Sequence, residues 1–190
     1  MADIMSEGGM HMDRKKWRQI GMILAAGFAA GIFYANFAGK NYVSSTGIFH
    51  EYFLSEYADT QIAFAEYLPY LVRWRGIPLL LFLAAGRMGA YKIPAVAALL
   101  WTGFSGGVVL VAAVMRMGAA GIFFCLAALF PQILFYASGW AVLVWSFYRM
   151  PEVTWNRGKT VFTAVMMVTG LLTEAALNPS VVKWALHIFY

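Results

Sequence analysis

The sequence predicts an all-α protein, a polytopic transmembrane helix bundle of about five spans. An amphipathic aromatic helical loop follows the first span, and a proline breaks the fourth hydrophobic segment. Three observations predict this. Of the 190 residues, 62% are apolar and only 12% charged, whereas a water-soluble domain is roughly half apolar and a quarter charged. Apolar runs near the ~20 residues needed to cross a ~30 Å hydrocarbon layer recur along the chain. Aromatic residues reach 17%, which suits the belts that amphipathic rings form at the headgroups. Five such spans leave little chain for a soluble domain, so residues 20–179 read as a single transmembrane domain.

The elements follow in order. Residues 1–19 form a basic arm, read as disordered and cytoplasmic. Ile20–Phe37, IGMILAAGFAAGIFYANF, is preceded by Arg14, Lys15, Lys16 and Arg18. It is longer than a secretory h-region and lacks a small-residue cleavage site, so it reads as the first span and signal anchor. In the loop 40–75, Ile48, Phe49, Tyr52, Phe53 and Tyr57, then Phe64, Tyr67, Leu68, Leu71 and Trp74, recur at helical spacing, with Glu51, Glu56, Asp59 and Glu66 between them. That pattern predicts one or two amphipathic helices on the bilayer or on the bundle. Arg73 and Arg75 bracket the entry to a second span at about 72–90. Its apolar stretch is short, so an arginine at its edge must snorkel.

The third span, about 93–115, carries Gly103, Gly106 and Gly107, and Pro94 suits its first turn. Residues 118–148 are uncharged throughout. As one helix they would measure about 46 Å, well beyond a ~30 Å core. Pro131 removes a backbone donor and clashes with the preceding turn, so the run is expected to break there, with a spanning helix from Gln132. A full hairpin at Pro131 is the alternative and would add a sixth crossing. The last span, 161–177, is expected to end at Asn178-Pro179, leaving 180–190 as a short amphipathic tail.

The formal charge of +5, from 14 Lys and Arg against 9 Asp and Glu, reads as a topology device and not as a nucleic-acid footprint. With five crossings, nine basic residues flank the spans on the amino-terminal side and five on the other. This bias places the amino terminus in the cytoplasm and the aromatic loop and carboxy terminus outside.

The candidate chemistry is sparse. His11, His50 and His187 lie in separate segments without metal-ligand spacing, and Cys125 is the single cysteine, so no metal site or disulfide is expected. No nucleophile elbow, Walker loop or dinucleotide fingerprint occurs, and Ser105 and Ser138 are lone hydroxyls in helices. No cofactor and no catalysis are expected. Gly27-x-x-x-Gly31 and Gly103-x-x-x-Gly107 each place two glycines on one helix face, suited to packing within the monomer or to a homo-oligomer seam. Glu174 is the one carboxylate inside an apolar stretch, which marks it as a functional candidate, and spacing puts Asn178 on its face. Glu174 reads either as a polar site facing a cavity or partner, or as a structural pin paired to an arginine such as Arg73 or Arg116.

The order of these features resembles the stage II sporulation protein M family. The likeness covers about Gly21 to Pro179 and rests on hydrophobic, loosely specified motifs. They are the basic arm and anchor helix, the loop GIFHEYFLSEYADTQIAFAEYL, the glycine-rich TGFSGGVVL and the run MGAAGIFFCLAALFPQILFYASG. In that run Phe130-Pro131-Gln132 occupies the place of the family's Leu-Pro-His or Leu-Pro-Gln. Glu174, Asn178 and Pro179 match an acidic residue followed by an Asn-Pro stop. The resemblance implies a non-catalytic membrane scaffold that recruits membrane-anchored cell-wall hydrolases resembling stage II sporulation proteins D and P. Phe49, Tyr52, Phe53, Arg73 and Arg75 would then belong to the docking loop, and Pro131, Gln132, Glu174 and Asn178 to the structural or partner-binding set. Family members also occur in organisms that do not sporulate. The rival reading is the membrane subunit of an ABC-type transporter, coupled through the loop from Arg149 to Lys159.

Overall fold

The computed structural model describes residues 14–37, 51–89 and 91–189. Residues 1–13 and 38–50, Phe49 among them, lie outside them. The described residues form helices α1 (Arg14–Phe37), α2 (Glu51–Asp59), α3 (Phe64–Arg87), α4 (Lys92–Met117), α5 (Ala120–Leu129), α6 (Gln132–Tyr148) and α7 (Arg157–Phe189), with no strand among them. Four of these, α1, α3, α4 and α7, are long and apolar enough to cross a membrane. The pair α5 and α6 supplies a fifth span if counted as one, bent by 69° at Phe130-Pro131.

Three boundaries differ from the expectation. First, α1 begins at Arg14, so the basic cluster through Arg18 is helical and not part of a disordered arm. Second, among the described residues of the aromatic loop, Glu51–Asp59 forms a separate short helix. The helix that carries the second span begins at Phe64, ahead of residue 72, since the Phe64–Trp74 aromatics continue without a break through Pro69 and Pro78 to Arg87. A break there would leave backbone groups unpaired in lipid. Third, α7 does not stop at Asn178-Pro179 but runs to Phe189. Pro179 costs it one backbone hydrogen bond. The expected tail is instead held by Ala185 and Leu186, buried against Leu54 of α2, Ala35, Ala112 and Phe124.

Contacts fix the directions of the helices. Gly27 meets Leu100 and Gly31 meets Phe104, so α1 and α4 run parallel. Gly139 faces Met167 while Gly170 faces Tyr136, so α6 and α7 run antiparallel. The start of α1, the end of α3, the start of α4 and the end of α6 therefore gather on one side. There Trp17 stacks on Trp145 with centroids 4.5 Å apart, and Phe147 packs on Phe82 and Trp155. Gly27, Gly31, Gly103 and Gly107 are all buried in the α1–α4 seam. The two glycine faces pack on each other inside one chain.

On the same side Lys16 of α1 donates to Glu152, and Arg149 approaches that carboxylate at 3.5 Å. The hydrogen bond from Lys16, then its charge, holds the exposed Glu152 carboxyl below its ordinary value of 4.5. A lowered folded-state pKa contributes stability above the unfolded value, and that contribution is lost as pH falls through the folded value. Glu152→Gln is therefore expected to lower the thermal midpoint slightly at neutral pH and not at all in acid well below pH 4.5. Equal offsets at both pH values would exclude this latch.

Candidate functional site

The break between α5 and α6 creates the polar interior. Pro131 has no N–H, and the chain at Phe130 is extended, so the carbonyls beyond Ala127, which shares the Phe130 N–H with Leu126, lose their helical donors. Side chains replace them. Gln132 Nε2 donates to the Ala128 carbonyl at 2.7 Å, and Asn178 Nδ2 donates to the same oxygen at 3.0 Å. Both amides are buried, and the Gln132 Oε1 has no hydrogen-bond partner among the described residues. The structure thus brings Pro131, Gln132 and Asn178 to one place, where the two amides cap the Ala128 carbonyl at the end of α5. Asn178→Leu is expected to cost about 1 kcal/mol, the usual scale of an interhelical polar contact in lipid. Thermal unfolding in detergent checks it, and Asn178→Ala should be as damaging as Asn178→Leu.

One turn before Asn178, Glu174 is buried and fully engaged. Arg75 Nη2 donates to Oε1 at 2.6 Å and Arg75 Nε to Oε2 at 3.2 Å, a two-point pairing. Tyr136 Oη donates to Oε2 at 2.7 Å. The Arg75 guanidinium also lies 5.2 Å from the Tyr136 ring centroid, within cation–π range. Arg75 lies about 18 Å along α3 from Arg87, near the middle of a helix long and apolar enough to cross a membrane. Three helices, α3, α6 and α7, are pinned together by this one carboxylate.

The partner of Glu174 is therefore Arg75, and neither Arg73 nor Arg116 fills that role. Arg75 is not a bracket at the end of a loop but the midpoint of a helix. Arg73, two residues away, faces elsewhere. Tyr52 and Phe53 lie on α2, exposed and packed edge to face at 5.8 Å. Tyr136 was not singled out by sequence reasoning. Its signal was available, since Gln132, Tyr136, Gly139 and Leu143 fall at spacings of four, three and four, and all are buried. Ser138 donates to the Leu134 carbonyl of its own helix at 2.7 Å. Among the described residues no three His, Cys, Asp or Glu side chains gather as metal ligands would.

Chemically the cluster is an internal lock. Its charges neutralise each other, its hydrogen bonds are mostly paired, and the bonded groups come from helices far apart in the chain. Comparison with protein-family models, with curated proteins and with solved structures finds no match to this chain.

Proposed function

We propose that this chain is a non-catalytic integral membrane scaffold of the stage II sporulation protein M type, which positions peptidoglycan-remodelling partners in the cell envelope. Where the host sporulates, that role is engulfment. In this reading the protein lies in the cell membrane with its amino terminus in the cytoplasm, and the partners are membrane-anchored hydrolases resembling stage II sporulation proteins D and P.

The observation that supports it most is the placement of α2. Leu54 anchors this short helix in the buried cluster at the far end of the bundle, and Lys183 of α7 donates to the Thr60 carbonyl beside it at 2.6 Å. Tyr52 and Phe53 are thereby held outward, at 64% and 55% exposure, on a fixed mount. Aromatic anchors presented on a rigid element are the form that protein-docking surfaces take.

The test is crosslinking in host membranes followed by affinity purification and mass spectrometry. Recovery of cell-wall hydrolases or their activators, lost in Tyr52→Ala/Phe53→Ala, supports the scaffold. Recovery of a nucleotide-binding subunit crosslinked near Arg157 supports the transporter reading instead. That second reading draws on the helix break at Pro131, since transporters build midplane sites from discontinuous helices.

A further inference from the structure

We propose that the outward face of α3 receives a transmembrane helix of a partner protein, and that this helix carries an aspartate or glutamate level with Arg73. The inference rests on the scaffold reading and deepens it by naming the chemistry of the partner. The inward side of α3 is marked by Leu71 and Phe82, both buried, and by Arg75 reaching Glu174. On the opposite side Tyr70, Arg73, Trp74, Ile77, Leu80 and Leu81 recur at the three- and four-residue spacings by which one helix seats another, and all six are exposed.

Exposed apolar side chains alone would suit lipid, but Arg73 does not. With Arg87 set at one face of a ~30 Å hydrocarbon layer, Arg73 lies about 21 Å along α3 and so short of the other face. No described residue gives it a hydrogen bond or an ion pair. A guanidinium at that level either snorkels to the headgroups or takes a counter-charge from a protein neighbour, since lipid tails supply neither. Arg75 has that counter-charge in Glu174; Arg73 has the same chemistry, and no described residue answers it.

A second copy of this chain does not provide one. Two-fold pairing through this face, about an axis along the membrane normal, would set Arg73 against Arg73 at equal depth, two like charges in a low dielectric. A carboxylate from a different chain neutralises the guanidinium and accepts two of its N–H groups at once. The neighbouring Tyr70 and Trp74 then flank the pair as apolar cover.

The test is photo-crosslinking of the full-length protein in host membranes. A benzophenone amino acid replaces Ile77 or Leu80 and, for comparison, Val168 on the exposed side of α7. The expected result is an adduct with a membrane-anchored protein from Ile77 and Leu80 and none from Val168. That adduct should fall about fivefold in Arg73→Gln, the scale of an interhelical polar contact in lipid. It should return when Arg73→Glu is combined with lysine in place of the partner's intramembrane carboxylate. Adducts with lipid alone or with a second copy overturn the proposal, as does a partner adduct indifferent to the charge exchange. Adduct is normalised to the membrane level of each variant. If Arg73→Gln does not accumulate, Arg73→Lys, which keeps the charge, must retain the adduct. A charge-dependent adduct with a protein unconnected to cell-wall remodelling removes the scaffold reading and keeps the docking face. Hydrolases recovered only through Tyr52 and Phe53 do the reverse.

Discussion

Gly31→Leu is expected to unfold the α1–α4 pair, while Gly21→Leu on the same helix changes almost nothing. A Cβ at Gly31 would be driven into the Phe104 carbonyl, and one at Gly107 into the Phe28 carbonyl, so the obstacle is backbone and cannot rotate away. A Cβ at Gly21 meets nothing within 4 Å. Leucine at Gly31 forces the two axes apart along their whole contact, which also strips Gly27 and Gly103 of their packing. Overpacking of this kind costs about 3 kcal/mol, against about 0.5 kcal/mol or less for a surface change. Thermal unfolding in detergent, followed by tryptophan fluorescence, compares the two variants directly. Equal midpoints would mean that the glycine seam does not hold the bundle.

Glu174→Leu is expected to be the most damaging change in the polar interior. It leaves the Arg75 guanidinium at mid-helix without its carboxylate and strands the Tyr136 hydroxyl. Removing one partner of a buried pair typically costs about 3–5 kcal/mol, whereas replacing both by apolar groups is often close to neutral. The exposed half of Arg75 moderates the loss, so the lower end of that range applies. Arg75→Leu combined with Glu174→Leu should therefore recover most of the stability lost by Glu174→Leu alone. Glu174→Gln keeps the shape and one acceptor and should fall between. A double variant no better than its worse parent would show that the pair is a net source of stability and not merely a matched set.

These two sites also show what the residues disclose before a structure is known. The helical class, the glycine faces and the break at Pro131 are legible because hydropathy and spacing act within one helix. Glu174 stands out as a lone carboxylate, and an arginine partner is a natural expectation. Which arginine is a different matter. Arg73 and Arg75 share a helix and a charge, and about 200° of helical rotation separates the one that meets Glu174 from the one that faces away. Nothing local encodes that rotation; it is set where Leu71 and Phe82 find their pockets.

The helix ends mislead for a related reason. Asn178-Pro179 carries the local signature of a stop, and tertiary packing of Ala185 and Leu186 overrides it. Phe64–Trp74 has the amphipathic pattern of an interfacial helix. It nevertheless continues into a span, because backbone pairing outweighs side-chain preference in lipid.

The parallel seam between α1 and α4 has a bearing on how the protein is made. Its two halves are separated by about 70 residues of chain, which a ribosome delivering about 5–20 residues per second takes several seconds to complete. Throughout that interval α1 is already inserted, with a bare Gly-x-x-x-Gly face and no mate. A nascent chain stalled before α4 would therefore display a competent homotypic pairing helix, and only the arrival of Gly103 and Gly107 retires it.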